Sequence, residues 1–121
     1  MAHNFKYPGK LYLIPSLLGE NTFTEVLPTS IARIIEETDN FIVENDKTAR
    51  RFIKAVVPEK SQPSLNLFLL NKHTDRNLVS SYLDVCKNGE NIGLLSEAGC
   101  PGIADPGAEI VKIAHNEGIQ V

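Results

Sequence analysis

Residues 91–107 read NIGLLSEAGCPGIADPG, and this stretch carries the strongest indication of the fold. Its first residues, Asn91–Leu95, form a short apolar run that predicts a buried strand. A loop rich in glycine and proline follows over Ser96–Asp105. A helix is predicted from Pro106 to about Glu117, because proline at the first helical position loses no hydrogen bond. Strand, loop and helix in this order are typical of one unit of a parallel α/β sheet.

The same alternation runs along the rest of the chain. Ile119–Val121 begins a further apolar run, and upstream strands are predicted at Lys10–Pro15, Asn40–Glu44 and Leu65–Leu70. The helices predicted between them lie at about Thr29–Glu37, Asp46–Val57 and Thr74–Lys87. We therefore predict an α/β fold, a Rossmann-like and mostly parallel sheet of about five strands with helices on both faces.

Two of these elements carry more detailed expectations. The run Leu65–Leu70 is nearly all apolar, so this strand is predicted to be covered on both faces. Thr74 is expected to cap the helix that follows it. The residues of that helix predicted to face inward are Leu78, Tyr82, Val85 and Cys86.

The composition is that of an ordinary globular domain. The chain has 121 residues, of which 42% are apolar and 22% charged, and this length is sufficient for one core. Its net charge of −3 excludes a strongly basic nucleic-acid-binding domain but leaves room for a local basic face. Cys86 and Cys100 are too few for a disulfide scaffold and are interpreted as reduced thiols of a cytoplasmic protein. Because zinc-ligand spacing and long apolar runs are absent from the sequence, we expect no metal site and no membrane partner.

The helix predicted at Asp46–Val57 has two distinct faces. Its apolar residues recur at helical spacing, and they are Ala49, Phe52, Ile53 and Val56. A basic set repeats that spacing on the opposite side and consists of Lys47, Arg50, Arg51 and Lys54. Such a face is either simply solvated or contacts RNA phosphates. Four contacts to single-stranded RNA would give a salt slope of about −3.

The loop Ser96–Asp105 is a candidate ligand site, because ligands of open α/β sheets bind outside the carboxyl ends of the strands. Glycines let the backbone approach a ligand closely, and prolines limit the entropy lost on binding. The alternative is an ordinary connection between a strand and a helix. The loop contains neither Gly-Lys-Ser/Thr nor Gly-x-Gly-x-x-Gly, which disfavours ATP hydrolysis and ordinary NAD binding.

Four stretches of the chain match one known family, in the right order. The block Ser96–Gly107, SEAGCPGIADPG, matches the family pattern Ser-Asp-Ala-Gly-Thr-Pro-x-Ile-Ser-Asp-Pro-Gly. The other matching stretches are Leu11–Glu20, Glu44–Phe52 and Asn71–Thr74. On these residues the chain resembles the amino-terminal domain of the tetrapyrrole methylase superfamily. It is most similar to the ribosomal RNA small-subunit methyltransferase I type, which 2′-O-methylates a cytidine of small-subunit ribosomal RNA.

The resemblance implies an enzyme that holds S-adenosylmethionine in the cleft between two α/β domains. Residues 1–121 would form the amino-terminal domain, expected to be inactive alone, and a carboxyl-terminal domain absent from this sequence would complete the cofactor site. The full-length protein would be a homodimer that acts on ribosomal RNA or the small ribosomal subunit. The residues that the resemblance places at the cofactor are Pro15, Ser16, Gly19, Ala98, Gly99, Cys100, Pro101, Ile103 and Asp105.

Methyl transfer to a 2′-hydroxyl benefits from a general base. Glu44 is our first choice, because it begins the stretch ENDK that matches the family's acidic motif Glu-Asp-Thr-Arg. Asp46, Glu97 and His73 also follow predicted strand ends. His73 matches a histidine of the family and is assigned, with the basic face, to the RNA site. Each of these residues has a plain alternative as a solvated or capping residue, Asp46 as the N-cap of its helix.

Two other functions stay open. One keeps the superfamily but changes the acceptor to a carbon of a tetrapyrrole, a corrinoid or another small molecule, and the basic face argues mildly against it. The other is a non-catalytic domain that binds S-adenosylmethionine or a nucleotide, because half of the cleft would be missing.

Overall fold

The computed structural model describes residues 7–15, 29–71, 73–96 and 107–121. They form four strands, which are β1 (Leu11–Pro15), β2 (Asn40–Val43), β3 (Asn66–Leu69) and β4 (Ile92–Ser96). Neighbouring strands pair in parallel, in the order β1-β4-β2-β3. Beyond β1, Lys10 forms an isolated parallel bridge with Gln120. The predicted parallel α/β sheet is confirmed, with four strands and this bridge where about five strands were expected.

Helices connect the strands, with bounds α1 (Thr29–Glu37), α2 (Asp46–Val56), α3 (Arg76–Val79), α4 (Asp84–Lys87) and α5 (Gly107–Asn116). Short 3₁₀ turns lie at Gln62–Ser64 and Ser80–Leu83. The bounds of α1 and α2 agree with the sequence prediction to within one residue. Gly118 follows α5 with a φ of 78°, the left-handed conformation in which glycine commonly ends a helix.

The sheet separates two hydrophobic clusters, so helices on both faces are confirmed. The cluster under α1 and α2 contains Ile35, Ala49, Phe52 and Ile53 and, from the strands, Ile14, Phe41, Val43 and Leu95. The cluster under α3, α4 and α5 contains Leu83, Cys86, Ile110 and Ala114 and, from the strands, Leu11, Ile42, Ile92 and Leu94. Side chains alternate between the faces along β2 and β4, as the two-residue period of a strand requires. The one core expected from chain length is therefore divided by the sheet into two.

Gly93, in the middle of β4, makes room for side chains of both neighbouring strands. A Cβ atom at this position would lie 2.8 Å from Cδ1 of Ile14 and 3.0 Å from Cδ1 of Phe41. Carbon atoms pack best at about 3.5–4.0 Å, so any side chain here would push these two residues apart. The glycine thus lets side chains of β1 and β2 pack together over the backbone of β4.

The prediction that the third strand is covered on both faces is confirmed only in part, since Phe68 packs against one cluster and Leu67 against the other. β3 pairs only with β2 among the described residues, and Leu69 is 45% exposed. An edge strand has fewer neighbours to cover its side chains than a central strand has. The apolar composition of this segment does not reveal which place it takes in the sheet.

The single helix predicted at Thr74–Lys87 is replaced in the structure by two short helices with a 3₁₀ turn between them. Asp75, and not Thr74, caps α3, because its carboxylate accepts a hydrogen bond from the backbone N–H of Asn77 at 2.9 Å. Leu78 was expected to face inward but is 52% exposed. The 3₁₀ turn interrupts the helix, and the buried side chains are Val79, Tyr82, Leu83 and Cys86. Val79, the neighbour of Leu78, is 2% exposed and takes the position facing the core.

Asparagine side chains tie together the amino ends of all four strands. Asn40 is buried, and its amide nitrogen donates to Oε1 of Glu90 and to the backbone oxygen of Asn91, each at 3.1 Å. Its amide oxygen accepts from Nδ2 of Asn66 at 3.0 Å. Asn91 in turn accepts from the backbone N–H of Lys10 at 2.9 Å. This network fixes the strands at the edge of the sheet opposite to the candidate site.

Candidate functional site

The carboxyl ends of β1 and β4 lie side by side. Pro15, the last residue of β1, pairs with Ser96, the last residue of β4. From β1 the chain continues to α1 on one face of the sheet and then to β2, on the far side of β4. From β4 it continues to α5 on the other face and then to Gln120, on the far side of β1. The two connections therefore diverge at β1 and β4, and such a switch point is where open α/β sheets bind ligands.

The predicted cofactor residues belong to the two segments that follow these paired ends. Pro15 is the one member of that set within the described residues. The other eight lie outside them, namely Ser16, Gly19, Ala98, Gly99, Cys100, Pro101, Ile103 and Asp105. Glu97 also lies outside. Ser16 and Glu97 directly follow the paired Pro15 and Ser96 in sequence.

Glu44, the predicted base, directly follows β2 and is exposed at the same edge of the sheet. Asn45 comes next and caps α2, because its Oδ1 accepts from the backbone N–H of Thr48 at 3.0 Å. The alternative interpretation of Asp46 as the cap is therefore wrong. Asp46 is the first helical residue, and its carboxylate binds Nε of Arg50 at 2.8 Å. Glu44 is thus the first residue after β2, and it directly precedes the N-cap of α2.

His73 lies in a turn after β3, beside the end of β2. Val43 and Leu69 pair across these strands, so the two ends are level. The turn is closed by local bonds, in which the N–H of His73 donates to Oδ1 of Asn71 at 2.8 Å and the N–H of Asn71 donates to Oγ1 of Thr74 at 2.9 Å. His73 is exposed. The topology therefore brings Glu44 and His73 to neighbouring strand ends at one edge of the sheet.

The four predicted basic residues of α2 fall into two groups. Lys47, Arg51 and Lys54 are exposed and make no hydrogen bond or ion pair within the described part of the chain. We call these three residues the basic stripe. Their spacing of four and three residues places them on one side of the helix, over about 10 Å.

Arg50 is half-buried and bound within the chain. Besides its ion pair with Asp46, its Nη1 donates to the backbone oxygen of Gln62 at 3.1 Å and to Oε1 of Gln62 at 3.4 Å. The guanidinium thereby joins α2 to the 3₁₀ turn at Gln62–Ser64. Sequence periodicity grouped Arg50 with the stripe because it does not report contacts with the turn.

The contacts that organise the end of β3 were not predicted from the sequence. The hydroxyl of Tyr82 donates to the backbone oxygen of Leu69 at 2.6 Å, and Oγ1 of Thr74 donates to the same oxygen at 3.2 Å. The sequence indicated Tyr82 only as a core residue and Thr74 only as a helix cap. The spacing of these residues in the sequence does not indicate that both hydroxyls bind one carbonyl oxygen.

The buried thiol of Cys86 lies away from this edge. Cys86 is buried and free, and its Sγ contacts the backbone oxygen of Lys10 at 3.6 Å. Burial raises the pKa of this thiol to about 11, so it is unreactive near neutral pH. The described residues include no group of three His, Cys, Asp or Glu side chains that could hold a metal ion. None of the helices they form is long and apolar enough to cross a membrane.

A cavity of about 350 Å³ opens beside the outer edge of β1. It is lined by Lys10, Leu11, Tyr12, Leu13, Gln120 and Val121. Gln120 and Val121 adjoin β1 on its side away from β4. This cavity is therefore separate from the β1–β4 switch point.

Curated relatives of the chain include proteins named ribosomal RNA small subunit methyltransferase I. The relative from Bacillus subtilis is 32% identical over 104 residues, which cover 86% of this chain and 33% of that protein. The relative from Leptospira biflexa is 32% identical over 114 residues, with coverages of 93% and 44%. The relative from Escherichia coli O157:H7 is 25% identical over 113 residues, with coverages of 93% and 37%. The chain thus spans less than half the length of these relatives.

The fold is shared with a solved structure, uroporphyrin-III-C-methyltransferase from Thermus thermophilus. The TM-score is 0.63 at 18% sequence identity, over 93% of this chain and 45% of that one. The likeness shows a common fold for nearly the whole chain. No family model matches the sequence.

Proposed function

We propose that this chain, which belongs to the tetrapyrrole methylase superfamily, forms the amino-terminal half of an S-adenosylmethionine-dependent methyltransferase acting on ribosomal RNA. The expected reaction is methylation of a cytidine 2′-hydroxyl. The names of the relatives support the RNA substrate, and their greater length supports a second domain that completes the cofactor site. On the resemblance of the sequence to this family, the full-length enzyme is proposed to be a cytoplasmic homodimer.

One observation carries the cofactor assignment, namely the pairing of Pro15 with Ser96. The two segments that resemble the family's cofactor loops begin directly after these two residues. Both segments therefore start at the switch point, where backbone groups and the start of a helix commonly meet a ligand. Pro15 and Ser96 are 81 positions apart in the sequence, and the pairing of β1 with β4 brings them together.

When bound, S-adenosylmethionine supplies an electrophilic methyl carbon on its sulfonium. The chain's own residues would hold the 2′-hydroxyl in place for transfer of that methyl group. Positioning of this kind lowers barriers by up to about 7–11 kcal/mol. We assign the Glu44 carboxylate to accept the hydroxyl proton, since it is exposed at the carboxyl edge beside β4.

The basic stripe supports RNA as the acceptor. α2 starts at the same edge as Glu44, so Lys47 lies near the proposed reaction centre and Lys54 lies about 10 Å farther along the helix. Three exposed cations at this spacing suit successive phosphates of an RNA strand, whereas a flat tetrapyrrole does not require them. The expected contribution to the salt slope is about −2, because Arg50 is engaged within the chain.

The activity is tested by following methyl transfer from labelled S-adenosylmethionine to small-subunit RNA in the full-length enzyme. Glu44→Gln is expected to lower kcat by about 10²- to 10⁴-fold and to leave cofactor affinity unchanged, because it removes only the proton acceptor. Glu59→Gln, another exposed glutamate, serves as the control.

The two possible failures are separable. A wild-type enzyme that methylates no RNA would overturn the proposed function. A Glu44→Gln enzyme with the wild-type rate would overturn only the assignment of the base.

A further inference from the structure

The backbone oxygen of Leu69 is held by two hydroxyl groups from outside its strand. The backbone N–H groups of Asn66 and Leu70 donate hydrogen bonds to backbone oxygens of β2 and of the residue that precedes β2. Alternate residues of β3 therefore turn their backbone polar groups toward β2. Leu69 belongs to the other set of alternate residues, so its backbone oxygen points away from β2 to the open edge of the sheet. Tyr82 fills that edge with a bond of 2.6 Å, and Thr74 adds a second bond of 3.2 Å.

Tyr82 is itself firmly anchored. Its side chain belongs to the hydrophobic cluster under α3, α4 and α5, and its ring lies 5.2 Å from that of Phe68. The residue sits in the 3₁₀ turn that interrupts the helix, where the sequence pattern failed. Burial raises the pKa of Tyr82 above its usual value.

The bonds continue from Leu69 to His73. Thr74, which donates to Leu69, accepts from the N–H of Asn71, and Asn71 accepts from the N–H of His73 through its side chain. The backbone N–H of Thr74 closes the turn on the oxygen of Asn71 at 3.1 Å. A continuous set of hydrogen bonds therefore links the packed ring of Tyr82 to the exposed His73.

We infer that Tyr82 and Thr74 are positioning residues, which hold the turn of Asn71–Thr74 so that His73 meets the RNA beside Glu44. This inference rests on the proposed function, and it adds a support that the family resemblance did not indicate. A flexible turn would have to lose its freedom when RNA binds, and the two hydroxyls remove that cost in advance. The same two hydroxyls also satisfy a carbonyl that would otherwise be open at an edge strand. A purely structural role would require only this second effect.

The test compares Tyr82→Phe and Thr74→Val with Ser81→Ala. Ser81 is a matched control, because its hydroxyl donates to the oxygen of Leu78 at 2.6 Å in the same helical region without reaching the turn. The first readout is amide hydrogen exchange at His73 and Thr74 by NMR. The second readout is the affinity for a small-subunit RNA oligonucleotide, measured with and without a His73→Ala substitution.

We expect Tyr82→Phe to speed exchange at His73 and to weaken RNA binding, each by about 3- to 10-fold, which corresponds to the loss of one hydrogen bond. In the His73→Ala background Tyr82→Phe should have no further effect on RNA binding, because the effect acts through His73. Ser81→Ala should change neither readout.

Tyr82→Phe and Thr74→Val variants that behave like Ser81→Ala would overturn the inference. So would an equal loss of affinity with and without His73, since the hydroxyl would then act by another route. If the full-length wild-type enzyme binds no RNA, the proposed function fails together with the substrate role, and the exchange data separately decide whether the hydroxyls hold the turn.

Discussion

Asn40 shows how a single residue fixes the frame on which the site depends. It is 3% exposed, and its amide forms three hydrogen bonds that connect β2 with β3 and with the residues before β4. Asn40→Leu keeps the side-chain volume but removes all three hydrogen bonds from a buried position. We expect it to lower the free energy of unfolding by about 1–3 kcal/mol, measured by urea denaturation.

Asn116→Leu is the control for this substitution. Asn116 is exposed at the end of α5, so its replacement should change the unfolding free energy by less than about 0.5 kcal/mol. An Asn40→Leu protein as stable as this control would show that the network contributes nothing to the register of the strands.

Cys86 allows a test of burial and of pH dependence. Its pKa is raised from 9.0 to about 11 by desolvation, so the native state favours the neutral thiol. The stability that this thiol contributes is complete below pH 9 and is lost as the pH rises through 11. In a Cys100→Ser background, we expect a thiol reagent to label Cys86 much more slowly in native protein at pH 8 than in urea. Equal labelling rates in both conditions would contradict the buried position.

At the scale of elements, the sequence predicted best where one pattern had clear ends. The apolar stripe of α2 begins after a capping residue and ends before Pro58, and its bounds were confirmed. The helix after β3 offers two possible caps, Thr74 and Asp75, and two adjacent apolar residues, Leu78 and Val79. Periodicity could not choose between them, because the choice is made by the 3₁₀ turn and the packing of Tyr82.

The candidate site was predicted to a similar depth. Motif resemblance put Glu44 and His73 after strands, and parallel pairing brings those strand ends to one edge. The bonds of Tyr82 and Thr74 to Leu69, and of Arg50 to Gln62, were not predictable from spacing. They depend on where the chain returns after a turn, which a local pattern does not record.

The basic stripe gives a prediction for α2 as an element. Reversing all three charges, with Lys47→Glu, Arg51→Glu and Lys54→Glu together, is expected to weaken RNA binding and to flatten its salt slope by about 2. The unfolding free energy should change little, because the three side chains are exposed. The measurement is RNA affinity by fluorescence anisotropy over a series of salt concentrations.

Two variants control for general charge and for fold. Lys112→Glu reverses an exposed charge on α5, which packs on the opposite face of the sheet, and should leave the slope nearly unchanged. Arg50→Ala should lower stability by about 0.5–1.5 kcal/mol through its lost bonds to Asp46 and Gln62. A triple variant with the wild-type salt slope would exclude the stripe from the RNA site.

For the whole molecule, the strand order matters more than any single motif. Because β4 lies between β1 and β2, the connections after β1 and β4 leave on opposite faces and open a crevice between these strand ends. The likeness to a solved methyltransferase covers 93% of the chain, which agrees with this arrangement of the entire sheet. The central claim is that S-adenosylmethionine binds at this crevice.

The most direct test is an amide-NMR titration of the chain with S-adenosylhomocysteine, with AMP as the control ligand. We predict shifts for Ile14, Leu95 and Ser96, at the paired ends of β1 and β4, with S-adenosylhomocysteine and not with AMP. Shifts confined to the opposite edge, at Asn40 and Asn91, would contradict the claim. So would identical shifts with S-adenosylhomocysteine and with AMP.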